Sequence, residues 1–206
     1  MTRFFFATAL SLALLSSAEA ALRKRAKPPV ADQIITSTID VPKTVEGRTR
    51  IPTGSQIEIA FAPKPQRQAE RLVIKVIEAA DTSVFMAAYS MTSKPIADAM
   101  CRAAARGVAV SAVLDAKSNP HGNGWSSSKR DYMSACGVDV KANPRYAIMH
   151  DKFIVVDGKH VQTGSFNYTF AAAERNAENA LVVWNNQPMA MRYQTEFERL
   201  FAEASD

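Results

Sequence analysis

Residues 149–167 read MHDKFIVVDGKHVQTGSFN and gather several side chains that could work on a phosphate ester. His150 and Lys152 stand two apart, Asp157 follows five further on, and Gly164-Ser165-Phe166-Asn167 closes the stretch. A neutral imidazole is a nucleophile, and an ammonium held beside it neutralises an anionic substrate that would otherwise repel the attack. The same charge lowers the cost of the transition state. Gly164 allows close backbone approach, and Ser165 and Asn167 carry donors for phosphoryl oxygens. Cutting such an ester also needs a proton donor for the leaving oxygen. This stretch supplies the nucleophile and leaves the donor unaccounted for.

The elements that must position these groups can be read from their periods. Placed on a strand over residues 147–157, His150 and Lys152 share one face, while Asp151 and Phe153 share the other. A second strand over residues 160–165 is joined to the first across Asp157-Gly158, the residue pair of a type I′ hairpin turn. Asp157 falls on the face opposite His150, which gives it a supporting role. The chain has three histidines, and neither of the others substitutes for the missing donor. His160, just past the turn, reads as a surface residue. His121 sits in a loop of Asn, Pro and Gly, where it could flank a groove but has no matching lysine.

The rest of the core alternates strands and helices. Strands are expected over residues 56–61, 83–91, 107–115, 138–142 and 179–184 by alternation or β-branched content. Helices are expected over residues 69–80, 94–106, 126–135 and 188–203, the second stopped by Gly107. Strands alternating with helices and then a hairpin give an α/β class with a mixed sheet flanked by helices, as a single domain over residues 56–206. At 206 residues the chain suits one well-buried domain rather than two.

Residues 1–20, MTRFFFATALSLALLSSAEA, have the form of a secretory signal: Arg3, then an apolar run over residues 4–15, then Ala18-Glu19-Ala20 as a cleavage site. The run is shorter than the ~20 residues that span a bilayer. The expectation is therefore an exported protein, periplasmic or secreted. Export permits a disulfide, but the sequence does not decide whether Cys101 and Cys136 pair or serve as two small buried hydrophobes. The net charge of +5 is concentrated in residues 21–55, which hold seven Lys/Arg against three Asp/Glu. Residues 56–206 hold seventeen against sixteen. The basic segment reads as a Pro-containing arm or linker. It is either a solvated tether or a contact to a phosphate backbone or anionic membrane.

The string His-x-Lys-x4-Asp-x6-Gly-Ser-x-Asn resembles the signature of the phospholipase D superfamily, the HKD motif, and all six positions are present here. The segments MAAYSMTSKPIADAM, GVAVSAVLD and ERNAENALVVWN extend the likeness to the short bacterial endonucleases of Nuc type, over residues 57–206. The resemblance implies the phospholipase D-like sandwich fold and phosphodiester cleavage through a phosphohistidine, without metal or other cofactor. It makes His150 the nucleophile, gives Lys152 and Asn167 the phosphoryl oxygens, and makes Glu178 the carboxylate that orients the histidine. Asp157 supports, and Gly164 and Ser165 lie in the substrate site. Superfamily members with a full site in one chain carry two motifs, and this chain carries one. A two-fold homodimer would bring two copies of His150 to one phosphate. A non-specific endonuclease for DNA is the first reading, with RNA left open. A phospholipase or phosphatidyl transferase on lipid head groups is the second, with membrane contact if the signal segment is retained. A binding module without activity is the third, disfavoured by the intact motif.

Overall fold

The computed structural model describes residues 54, 56–63, 66–122 and 128–205. The expected signal segment and nearly all of the basic arm lie outside those residues, as does the chain just after Gly122. The strands are β1 (Gln56–Ala62), β2 (Ser83–Ala88), β3 (Ala109–Asp115), β4 (Asp139–Asn143), β5 (Lys152–Val156), β6 (His160–Gly164) and β7 (Glu178–Trp184). They form one sheet in the order β1-β7-β6-β5-β2-β3-β4. β2, β3 and β4 run parallel, and the other neighbours are antiparallel. The expected α/β class with a mixed sheet is the fold observed.

Two cores sandwich the sheet. On one face lie α1 (Gln68–Glu78), α2 (Lys94–Ala105), α3 (Arg130–Ala135) and the short α4 (Phe170–Glu174). Leu72, Ile77, Met100 and Met133 of these helices pack on Val84, Met86, Ile154, Val182 and Trp184. On the other face α5 (Gln187–Ala202) sets Ala190, Phe197 and Leu200 against Val113, Phe153, Val155 and Val161. The two-residue period of β5 sorts its side chains between the faces, sending Phe153 and Val155 to α5 and Ile154 and Val156 to the four-helix side. Among the described residues no helix is long and apolar enough to cross a membrane.

Local chemistry sets the ends of these elements. Ser93 caps α2, accepting from the Ile96 N–H, and its hydroxyl also donates to Glu70 of α1 at 2.7 Å. Gly107, with φ of +86°, ends α2 where the sequence places a stop. The turn between β5 and β6 has positive φ at both Asp157 (+53°) and Gly158 (+63°), and the Lys159 N–H returns to the Val156 carbonyl. That is the type I′ geometry expected of Asp-Gly. Cys101 and Cys136 form a disulfide with Cα atoms 5.5 Å apart, tying α2 to the end of α3. A closed loop of that size contributes about 3–4 kcal/mol by restricting the unfolded chain.

Three local expectations are corrected. β5 begins at Lys152 rather than near residue 147, so His150 precedes the strand. The reason lies in competing partners. The Met149 N–H donates to the Asp115 carboxylate, and the His150 carbonyl accepts from the Lys152 ammonium. α4 was not expected; Thr169 nucleates it by capping the Ala172 N–H ahead of Ala-Ala-Ala-Glu. His160 is fully buried rather than on the surface. Its ring packs edge-on against Trp184 with centroids 5.0 Å apart, and its Nδ1 accepts from the Asn185 N–H.

Candidate active site

The register of the sheet gathers the chemistry at one edge. Ala88 at the end of β2 pairs with Lys152 at the start of β5, and Gly164 at the end of β6 pairs with Ala180 near the start of β7. His150 therefore emerges beside the motif's second half although it lies outside the strands. Its ring is exposed and sits edge-on to Tyr89, with centroids 4.7 Å apart. Lys152 is only 8% exposed, and its Nζ lies 5.4 Å from the Tyr89 ring centroid and 2.7 Å from the His150 carbonyl. Burial pushes the Lys152 ammonium below its ordinary pKa, against the nearby carboxylates of Asp151 and Glu178. It makes no ion pair with a carboxylate among the described residues, so its charge faces whatever anion enters.

These groups open on a cleft of about 390 Å³. It is lined by His150, Asp151, Lys152 and Phe153 from the start of β5 and the residues before it, by Thr163, Gly164 and Ser165 from the end of β6, and by Tyr193 of α5. Asp151 belongs to the α5 side; burial, and then Glu196, push its carboxyl above the ordinary range. Two buried residues at the end of β3 hold the site in place. Asp115 accepts from the Met149 N–H at 2.9 Å and the Ser118 N–H at 2.8 Å. The Asn119 amide donates to the Tyr89 carbonyl at 2.7 Å and to the Asp115 carbonyl at 2.9 Å. The chain on both sides of the His150–Tyr89 contact is thus anchored to one rigid strand end.

Ser165 and Glu178 differ from what the resemblance implies. The Ser165 hydroxyl donates its single proton to Glu178 Oε2 at 2.6 Å and accepts from the Asn179 N–H and side-chain amide. It is therefore committed to protein partners rather than free to donate to a substrate. The other oxygen of Glu178 accepts from Asn176 at 3.2 Å. No hydrogen bond joins Glu178 to His150, and the carboxylate instead lies within electrostatic reach of Lys152. Gly164 does support a close backbone approach, with φ of +147°. A Cβ there would stand 2.3 Å from the Asn179 carbonyl oxygen, so the partner is β7. Asn167 turns its Oδ1 inward, where it is buried without a partner. Its amide nitrogen makes no hydrogen bond with the described residues, which leaves that donor available for a phosphoryl oxygen.

The support that Asp157 gives is that of a structural latch away from the cleft, not a catalytic contact. At the far end of β5, its carboxylate accepts from the N–H groups of Asp81, Thr82 and Ser83 and from the Thr82 hydroxyl, at 2.8–3.1 Å. Burial alone would raise this carboxyl, but those donors outweigh it and hold it below the ordinary range. His121 is exposed and bound to Asp131 through Nδ1 at 2.6 Å. Among the described residues, no group of three or more His, Cys, Asp or Glu is placed to hold a metal ion. Sequence reading missed Tyr89, Asp115, Asn119 and Tyr193. Tyr89 had been absorbed into the apolar run of a strand, although it stands one residue past the end of β2.

A family model described as "Cardiolipin synthase, PLD-like domain" matches residues 73–201, which include every residue of the cleft. The chain belongs to the phospholipase D superfamily. As a phospholipase D-superfamily protein it is a hydrolase of the phosphodiesterase type. It is 33% identical to a phospholipase D of Rickettsia typhi over 77% of this chain and 76% of that one. It is 32% identical to a mitochondrial cardiolipin hydrolase of Xenopus tropicalis, over 68% of this chain and 64% of that one. Among solved structures it is similar to Nuc, a phospholipase D family member from Salmonella typhimurium. The TM-score is 0.69 at 33% identity, covering 74% of this chain and 98% of Nuc. Within the superfamily motif, His150, Lys152, Gly164 and Ser165 line one cleft, while Asp157 stands at the opposite end of the hairpin.

Proposed function

We propose that the protein is a metal-independent endonuclease that cleaves DNA through a phosphohistidine on His150, in a site completed by a second copy of the chain. The observation that carries this reading is the exposed imidazole beside a buried ammonium that has no carboxylate partner among the described residues, on an open cleft. The neutral ring nitrogen attacks phosphorus, and the bond from phosphorus to the leaving oxygen breaks. The leaving oxygen takes its proton from the protonated His150 of the second copy. That histidine, now neutral, removes a proton from water as the water oxygen attacks the phosphohistidine. The phosphorus–nitrogen bond then breaks and both rings are restored. Lys152 and the Asn167 amide stabilise the charge that develops on the phosphoryl oxygens.

The second copy is required because the described cleft has a single histidine, with His121 bound to Asp131 and His160 buried against Trp184. The two rings start in opposite protonation states and titrate as a coupled pair, which gives a bell-shaped pH–rate profile. The disulfide between Cys101 and Cys136 supports an exported protein, periplasmic or secreted, since such bonds persist in oxidising compartments. Export fits the signal-like residues 1–20, and the basic residues 21–55 would add salt-sensitive affinity for a phosphate backbone.

A second reading, hydrolysis of phospholipid head groups or phosphatidyl transfer by the same chemistry, is favoured by two observations. The cleft has an apolar side at Phe153 and Tyr193, and relatives carry the names phospholipase D and cardiolipin hydrolase. Membrane contact would then come through a retained signal segment. The deciding experiment sets plasmid nicking, in excess EDTA, beside hydrolysis of phosphatidylcholine and cardiolipin vesicles, with RNA as a further nucleic-acid substrate. The endonuclease reading expects nicking that survives the chelator and vesicles left intact. Vesicle hydrolysis without nicking would replace it with the second reading.

A further inference from the structure

Between Asn167, the last residue of the motif, and Glu178, whose charge reaches Lys152, the chain forms α4. Ala172 and Ala173 bury one side of this short helix, while Phe170 stands 51% exposed on the other. Phe170 is three residues from Asn167, so the two Cα atoms are at most about 11 Å apart. Two guanidinium groups flank its ring, with Arg67 Cζ 5.6 Å and Arg175 Cζ 5.8 Å from the centroid. The two arginines are not equivalent. Arg67 is neutralised by Glu70 at 2.9 Å and by Glu174 at 3.0 Å. Arg175 forms no ion pair among the described residues, and the next residue, Asn176, is the one whose amide holds Glu178.

A half-exposed aromatic side chain next to a guanidinium that has no ion pair among the described residues suits a planar heteroaromatic ring joined to a phosphate. We infer that Phe170 and Arg175 form a stacking subsite for an unpaired nucleobase of the strand whose phosphate lies in the cleft. Bases stack on both aromatic rings and arginine planes, whatever their identity. A paired base is already stacked within its duplex and reaches Phe170 only if it is extruded. The subsite therefore gives the enzyme a preference for single strands or frayed ends, without base specificity. A lipid surface fits this helix less well. Arg67, Glu174 and Arg175 surround the ring with charge, and α4 has only five residues, too few for an interfacial apolar face.

The inference rests on the nucleic-acid reading of the cleft, and the test separates the two. Binding is measured by fluorescence anisotropy in a His150→Asn background, using a short thymidine oligonucleotide and an abasic oligonucleotide of the same length. Stacking expects Phe170→Ala to weaken thymidine binding by about 10-fold or more and to leave abasic binding within about two-fold. Phe170→Trp should restore the first. Arg175→Ala should weaken both and flatten the dependence of log K on log salt by about 0.7. Equal loss on both oligonucleotides, or no loss on either, overturns the subsite even while the enzyme still nicks DNA. A Phe170→Ala defect confined to binding of cardiolipin-containing vesicles overturns it in favour of a membrane contact. If the chain with native Phe170 binds neither oligonucleotide and hydrolyses lipid, the nucleic-acid reading falls and the subsite with it. An unchanged melting temperature for Phe170→Ala assigns the loss to binding rather than folding.

Discussion

The β5–β6 hairpin has two ends built from the same kinds of residue and put to opposite uses. At the turn end, the Asp157 carboxylate is saturated by three backbone N–H groups and a hydroxyl, and His160 lies buried against Trp184. At the open end, His150 stands exposed, Lys152 has no carboxylate partner among the described residues, and the Asn167 amide donates to none of them. The turn end exchanges polar potential for rigidity. The open end keeps that potential unspent and borrows its rigidity from Asp115 and Asn119 below. A polar group fully satisfied within the fold holds structure together, and one held in place but left unsatisfied is ready for a substrate.

The largest effect should come from the open end. Replacing His150 by Asn should reduce phosphodiester cleavage by about three orders of magnitude or more while leaving the melting temperature unchanged. Lys152→Met should cost about 10²–10³ in kcat. Asp157→Ala inverts that pattern. Removing a carboxylate that serves four donors should lower stability by about 2–4 kcal/mol in urea unfolding, with kcat well below the melting point kept within a few-fold. Comparable loss of kcat in folded Asp157→Ala would erase the distinction between the two ends.

The turn end should also carry a pH signature. Burial lowers the pKa of His160 to about 4 from an ordinary 6.5, so the unfolded chain binds its proton first. Its contribution is complete above about pH 6.5 and is lost as pH falls towards 4, by about 3 kcal/mol for a shift of this size. Urea unfolding at pH 7 and at pH 4.5 measures that loss, and His160→Phe should flatten it. Asp157, whose carboxyl is held below the ordinary range, loses its own contribution at still lower pH. The smallest effect belongs to Ser165→Ala. Glu178 loses its 2.6 Å hydroxyl donor, and kcat should fall by about 10-fold with stability nearly unchanged.

Residues close together in the chain were the ones the sequence could place. The two-residue period set Phe153 on the face opposite Lys152, and Asp-Gly announced its turn, because both signals act over a few residues. Of the six motif positions, His150, Lys152, Gly164 and Ser165 line the cleft. Tyr89 and Asp115 escaped notice because their roles depend on the order of strands, which brings the ends of β2 and β3 beside the residues preceding β5. The Ser165–Glu178 bond likewise depends on the β6–β7 register across thirteen residues. His160 defied a surface reading because the inward face of β6 is polar. Tyr168 donates to Gln162 and Trp184 packs on His160, partners that no local pattern reveals.

The central claim is that one histidine per chain does half the chemistry and that its copy in a second subunit does the rest. The most direct test forces heterodimers of wild-type and His150→Ala subunits and measures turnover per shared site. If two rings divide nucleophile and acid between them, the heterodimer should show almost no turnover. Turnover at the wild-type level in that heterodimer would contradict the shared site and make a single His150 sufficient.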